Sequence, residues 1–253
     1  MLNRLDFYFF SPTGGTKKAG EIVCQGLSEK VYFIDLGIRD QALGTPESET
    51  IVVAVPVFGG RIPVVAAERL RHLEGGGKKA VTLVVYGTRA YEDALLELND
   101  IIQEQGFEIV ASAALIAQHS IVSDVGKGRP DEQDQAEILG FTQKVVKKLE
   151  NGEESLILVP GNRPYKEGMN MPVTPISQPS CIGCGKCVSV CPTGSVCMNK
   201  GVPITDAGSC MLCMACVAAC PEHARILPPP LQEQMNQKLG VLSSVRRENE
   251  YFL

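Results

Sequence analysis

The chain has 253 residues and a mass of 27.3 kDa, with 44% hydrophobic and 21% charged residues, so it can bury a core and is not disordered throughout. Its formal net charge of −5 excludes a general nucleic-acid binder with a basic face. No apolar run approaches the length of a membrane span, and MLNRLDFYFF lacks the apolar stretch and cleavage site of a secretory leader. The expectation is a cytoplasmic protein that binds neither membrane nor nucleic acid.

In chain order, the first 150 residues alternate strands and helices. Leu5–Phe10 reads as a strand, Gly15–Leu27 as a helix and Val31–Asp35 as a second strand. Ile51–Val57 is an almost unbroken apolar run, the pattern of a strand buried on both faces. Pro63–Leu73 is predicted as a helix, Val81–Tyr86 as a strand, and Tyr91–Gln105 as a helix with Ala94, Leu95, Leu98, Ile101 and Ile102 on one face. Glu108–Ala117 makes a fifth strand and Asp131–Glu150 a last helix. This alternation predicts an α/β fold, a doubly wound five-stranded parallel sheet whose ligand sits at the strand carboxyl ends. All of the formal −5 lies in residues 1–150, since residues 151–253 hold 8 basic and 8 acidic residues. Beyond residue 151 the composition changes. Pro160, Pro164, Pro172, Pro175 and Pro179 cannot continue a helix or a central strand and mark an ordered or semi-rigid joint.

Three loops meet at the predicted carboxyl edge. Ser11-Pro12-Thr13-Gly14-Gly15-Thr16 combines hydroxyl donors, glycines and a helix start, which suits a phosphate; a capped helix start is the plainer reading. No Walker lysine follows, and no G-x-G-x-x-G dinucleotide fingerprint is present. The second loop runs from Pro56 to Pro63 through Phe58, Gly59, Gly60 and Arg61, and the third from Gly87 through Arg89 to Tyr91. S-P-T-G-G-T after the first strand resembles the flavodoxin phosphate loop, and the element order is similar to flavodoxins across about 1–150. That resemblance implies FMN, with Ser11, Thr13, Gly14, Gly15 and Thr16 on the phosphate. It places Phe58, Gly59, Gly60, Gly87 and Tyr91 near the flavin ring. The chain has no Trp to stack on the ring. Arg61 and Arg89 are expected either as surface charges or as a cation near the N1/O2 edge of the flavin, where it would stabilise a reduced anion. His119 follows the fifth strand and reads as loop packing or as a proton donor to reduced flavin.

Nine of the ten cysteines fall between Cys181 and Cys220. Cys181-x-x-Cys184-x-x-Cys187-x-x-x-Cys191-Pro192 recurs as Cys210-x-x-Cys213-x-x-Cys216-x-x-x-Cys220-Pro221. This duplication is the bacterial two-cluster ferredoxin pattern. It assigns Cys181, Cys184, Cys187 and Cys220 to one [4Fe–4S] cluster, and Cys210, Cys213, Cys216 and Cys191 to the second. Zinc prefers paired C-x-x-C with a longer spacer, and a disulfide lattice needs an oxidising compartment. Cys24 reads as a buried packing residue and Cys197 as part of a short strand over the clusters.

The whole arrangement resembles the flavodoxin–ferredoxin fusion proteins of anaerobic bacteria. The resemblance implies a flavodoxin-like FMN domain over 1–155, a Pro-rich linker over 156–176, a small α+β domain with two [4Fe–4S] clusters over 177–230, and a tail over 231–253. The tail reads as either a docking helix or a frayed end. The expected function is electron transfer between the clusters and FMN, and to or from an external redox partner. The alternative is an FMN-dependent reductase of a small acceptor, such as a quinone or nitro compound, fed by the clusters. Cluster cores, their thiolates and an FMN phosphate would take the net charge to about −11.

Overall fold

The computed structural model describes residues 1–153, 155–169 and 171–253; Glu154 in the first predicted region and Asn170 in the predicted linker lie outside the described residues. The elements run β1 (Leu5–Phe9), α1 (Gly15–Leu27), β2 (Val31–Asp35), β3 (Thr50–Pro56), α2 (Val64–Leu70), β4 (Lys79–Tyr86), α3 (Ala94–Glu104), β5 (Glu108–Ile116) and α4 (Glu132–Asn151). After the Pro-rich joint come β6 (Ile176–Ser177), α5 (Lys186–Ser189), β7 (Val196–Asn199), β8 (Val202–Thr205), α6 (Ala215–Ala218), β9 (Arg225–Ile226), α7 (Pro229–Leu239) and β10 (Glu250–Phe252). Among the described residues no helix is long and apolar enough to cross a membrane.

The main sheet has the order β10-β5-β4-β3-β1-β2. Its five inner-chain strands pair in parallel, and the order 2-1-3-4-5 is that of flavodoxin-like sheets. The sheet differs from the expected five strands by one. β10 adds a sixth, antiparallel to β5, with Tyr251 opposite Ala113. A three-residue strand that pairs across so long a separation leaves no local periodicity in the sequence.

Alternation along β3 divides the core. Ile51, Val53 and Val55 pack on α2 and α3 against Leu70, Leu95 and Leu98, while Val52 and Ala54 face α1 and α4 against Val23, Ile138 and Phe141. Burying each large aliphatic side chain stabilises by about 1.5–3 kcal/mol, which is why the strand reads as continuous apolar sequence. α4 starts at a capping box, with the Asp131 carboxylate accepting from Asp134 N and the Asp134 carboxylate accepting from Asp131 N, and ends at Gly152 with φ 62°.

The Pro-rich joint is pinned rather than free. Asp93, just before α3, accepts from Asn162 N at 2.8 Å and Lys166 N at 2.7 Å. Asp100 on α3 takes Arg163 Nε at 2.8 Å and the Tyr165 hydroxyl, and Glu92 takes Lys166 Nζ at 2.6 Å. Ile157 is buried in the same core that α3 covers.

The stretch predicted as a tail is ordered. α7 crosses the expected boundary at residue 230, and the segment after it returns to the sheet. Arg129, 7% exposed, binds Asp134 in a buried ion pair and donates to Arg247 O at 2.6 Å. Asn249 donates to Asp134 at 2.9 Å and accepts from Ile116 N at 2.8 Å. Tyr251 stacks on Phe141 with ring centroids 4.9 Å apart.

Candidate functional site

A cleft of about 570 Å³ opens at the carboxyl ends of β1, β3, β4 and β5. From the three predicted loops its walls include Thr13, Gly15, Thr16, Phe58, Gly59, Gly60, Gly87 and Arg89. Four predicted residues stand outside these walls. Ser11 lies before the first turn of α1, its Oγ accepting from Lys17 N at 2.9 Å. Gly14 supplies the turn into α1 with φ 88°, a conformation that any Cβ would strain. Tyr91 is buried in the core, edge-on to Tyr86, and its hydroxyl donates to Glu250 at 2.7 Å. Arg61 gives Nε and Nη2 to Glu97 at 2.7 and 2.6 Å and Nη1 to Lys166 O at 2.6 Å. Its guanidinium also covers the Tyr165 ring at 4.7 Å. The geometry thus engages Arg61 in fastening the joint. Arg89, by contrast, lines the cleft and pairs with Glu92 at 2.8 Å.

Two further parts of the chain complete the cleft. From the joint come Lys166, Met169 and Met171, with Met169 lying on Gly59 so closely that a Cβ there would stand 2.9 Å from it. From the far half come Leu212, Cys213, Met235 and Leu239. Sequence reasoning did not find these walls, because each belongs to a segment remote from the sheet. His119 also lines the cleft. Its Nδ1 accepts from Ile121 N at 3.2 Å and Val122 N at 3.0 Å, and burial pushes the imidazole below its usual pKa. The ring is therefore held neutral, with Nε2–H as its donor.

The second half is built around the cysteine runs. The two runs share a backbone trace. Gly183 and Gly185 have φ 67° and 75°, and the equivalent Leu212 and Met214 have φ 54° and 66°. Two non-glycine residues held in left-handed conformations cost about 1–2 kcal/mol each, which marks a site where the backbone is bent for a purpose. Each run ends in a single-turn helix, α5 or α6, just before its last cysteine. The hairpin β7–β8 turns through Lys200 and Gly201, both at positive φ as a two-residue hairpin requires, and carries exposed Cys197 on β7.

A small hollow is lined by Cys181, Cys184, Cys187 and Cys220, the four residues of the first expected set. In the second set, Cys191 is buried in one hydrophobic cluster with Cys216 and Val196, and with Cys187 of the first set. Among the described residues no three His, Cys, Asp or Glu side chains gather tightly enough to hold one metal ion. Burial pushes the Cys213 thiol up to about 12 and raises Cys187, Cys210 and Cys216. Burial acts the same way on Cys191, but hydrogen bonds from the Thr193 hydroxyl and from the amides of Val196, Thr193 and Ser195 outweigh it and hold its pKa below the usual thiol range. The hollow of the first set is also walled by Arg225, 2% exposed, with no acceptor for its Nε–H. Buried sulfurs beside an unsatisfied buried cation fit an anionic thiolate-ligated cluster. Cys24 is 1% exposed inside α1, with its thiol pushed far up by burial, as a packing residue would be.

The comparisons with known proteins divide along the same line. Two models described as 4Fe–4S binding domain match residues 175–196 and 207–224. No curated protein matches the chain in sequence. Solved structures similar to the first half include flavodoxin 1 from Bacillus cereus, 18% identical, covering 57% of this chain and 98% of that one at TM-score 0.42. Another is a Fusobacterium nucleatum flavodoxin variant bound to flavin mononucleotide, 13% identical, covering 59% and 98% at TM-score 0.42. A third is rubredoxin oxygen:oxidoreductase from Desulfovibrio gigas, 12% identical at TM-score 0.42; the match covers 60% of this chain and spans only 37% of that protein's length.

Proposed function

We propose that this chain, a flavodoxin-like sheet domain followed by two 4Fe–4S ferredoxin motifs, is an electron-transfer flavo-iron–sulfur protein that holds FMN in the cleft and two [4Fe–4S] clusters on its two cysteine sets. The observation that carries the reading is that Cys213 lines the same cleft as Thr13, Thr16, Gly87 and His119. Cys213 of the second run and the loop after β1 thus open onto a shared space.

The first-helix amides and the Thr13 and Thr16 hydroxyls would hold the phosphate, helped by the positive end of the α1 dipole. Gly59, Gly60 and Gly87 would let the ring approach backbone, and Met169 and Met171 would cover it. FMN, when bound, accepts one or two electrons and so matches one-electron centres to a partner that exchanges pairs. His119 would offer Nε2–H to the ring edge while its Nδ1 stays fixed by the Ile121 and Val122 amides. Cys213, half-buried and lining the cleft, would set the near cluster against the ring. Cys184 is exposed beside Ile182, which is 66% exposed, so the far set presents the surface where an external redox protein would exchange electrons.

The test is anaerobic purification with iron, acid-labile sulfide and acid-released flavin quantified. The expected contents are about eight irons and one FMN per chain. Zinc in place of iron would refute the cluster half, and iron without flavin would refute the cleft half.

A further inference from the structure

Among the described residues Arg225 is the largest fully buried side chain. Its Nη1 donates to Ser177 Oγ at 3.0 Å and to Pro203 O at 3.4 Å, and its Nη2 to Thr205 Oγ1 at 2.6 Å. All three acceptors are neutral. Among the described residues no carboxylate lies within ion-pair distance of it, in contrast to the other buried arginine, Arg129, which faces Asp134. Nε–H has no acceptor at all. A guanidinium cannot escape by losing its proton, so an uncompensated one in this position costs several kcal/mol. The position therefore demands an anion.

The elements packed around it carry cysteines of both sets. Arg225 stands on β9, which packs against α6, the single-turn helix that carries Cys216 of the second set. It also walls the hollow of the first set. The chain reaches this place through β9, whose antiparallel pairing sets Arg225 opposite Ser177 on β6. The strand pair fixes the backbone, and the Ser177, Pro203 and Thr205 acceptors fix the two Nη groups, leaving Nε buried without a partner.

We infer that Arg225 is the shared counter-cation of the two clusters, standing between Cys187 of one and Cys216 of the other, donating Nε–H to cluster sulfur and raising the reduction potentials of both. The inference rests on the cluster assignment proposed above. Each oxidised cluster with its four thiolates carries a charge of about −2, and reduction makes it more negative. A fixed cation beside it favours the reduced form, and a hydrogen bond to sulfur acts in the same direction. Because the guanidinium faces both sets, one substitution should move both centres.

The experiment has two arms. In the first, Arg225→Met and Arg225→Lys are purified anaerobically and titrated against potential, with reduced clusters followed by EPR. Arg225→Met is expected to make reduction of both clusters at least about tenfold less favourable, about 59 mV for one electron. Arg225→Lys is expected to recover part of that shift. An Arg225→Met protein with full iron and sulfide and unmoved potentials would overturn the inference. The second arm uses the unsubstituted protein labelled with ¹⁵N-arginine, so it does not depend on a variant folding. Pulsed EPR of the reduced protein is expected to show ¹⁵N coupling from one arginine, and its absence overturns the inference. An unsubstituted protein without iron would instead overturn the cluster assignment itself.

Discussion

Gly87→Ala tests whether the cleft is shaped as tightly as the flavin reading requires. Gly87 leaves β4 at ordinary backbone angles, so a substitution there is not strained by a positive φ. The obstacle is steric. A Cβ would stand 2.6 Å from His119 Cδ2, 2.7 Å from His119 Cβ and 2.9 Å from His119 Cα. The last of these is backbone, so rotating the imidazole cannot relieve the clash. The β4–α3 and β5–α4 loops must separate by several tenths of an ångström, and overpacking of this kind costs about 1–3 kcal/mol. The displaced strain also moves the imidazole that lines the cleft. Titration of the apo-flavin site by FMN fluorescence quenching should show affinity falling about tenfold for each 1.4 kcal/mol not recovered on binding. The comparison is Gly15→Ala, whose Cβ would meet Ala117 Cβ at 3.5 Å, an ordinary contact. That variant should keep the stability of the protein yet weaken FMN binding, because the methyl occupies space next to the phosphate loop. Unchanged FMN affinity in Gly87→Ala would refute the placement of the ring beside Gly87. Weakened affinity in Gly87→Ala with none in Gly15→Ala would refute the phosphate assignment.

Asp134→Ala leaves Arg129 buried without its partner and should lower stability by about 3–5 kcal/mol in guanidinium unfolding; a loss below about 1 kcal/mol would refute the tail-anchoring role of the pair. Iodoacetamide at pH 8 should label Cys197 alone in the iron-loaded protein, read as a single mass increment, whereas modified Cys24 would contradict its burial in α1. Cys213→Ser should cut iron from about eight to about four per chain and slow electron passage to the flavin far more than Cys184→Ser; equal effects would contradict the ordering of the two sets. His119 is held neutral in the folded protein, its pKa lowered by burial, so the unfolded chain takes up its proton first as pH falls. The His119 contribution is therefore fully present above its ordinary value of about 6.5 and lost as pH falls from there through the depressed folded value. Stability curves of His119→Gln against the unsubstituted protein should converge across that window, and parallel curves would exclude the effect.

The repeating elements were legible because their signals are local. α1 and β2 fall where apolar spacing places them, and the β3 run is continuous because both of its faces are covered. The cysteine runs were legible because ligand spacing is a chemical requirement. Other features depend on remote partners. α3 begins at Ala94 rather than Tyr91, because the Asp93 carboxylate holds the joint and the Tyr91 ring fills the core. Arg61 could equally serve a ligand or a protein carboxylate on sequence alone; Glu97 lies 36 positions away and decides the matter only in three dimensions. Arg225 reads as an ordinary charge between Ala224 and Ile226, and only its burial reveals it. The walls that Met169, Met235 and Leu239 give the cleft had no signal of their own, since a methionine or leucine in an irregular segment looks like any packing residue.

β10 has a consequence for assembly. The chain leaves the parallel sheet after β5, builds the joint and the cysteine-rich half, and then comes back to bind β5, with Asn249 reaching an amide 133 positions earlier. The cysteine-rich half is thus an insertion held at both ends, like a bridge span rather than a pendant. Its cysteine runs cannot swing away on one hinge without peeling a strand from the sheet. On a ribosome, the cleft-bearing sheet would wait for its edge strand until the cysteine-rich span had emerged, so completion of the sheet and folding of that span become coupled steps in the birth of one molecule.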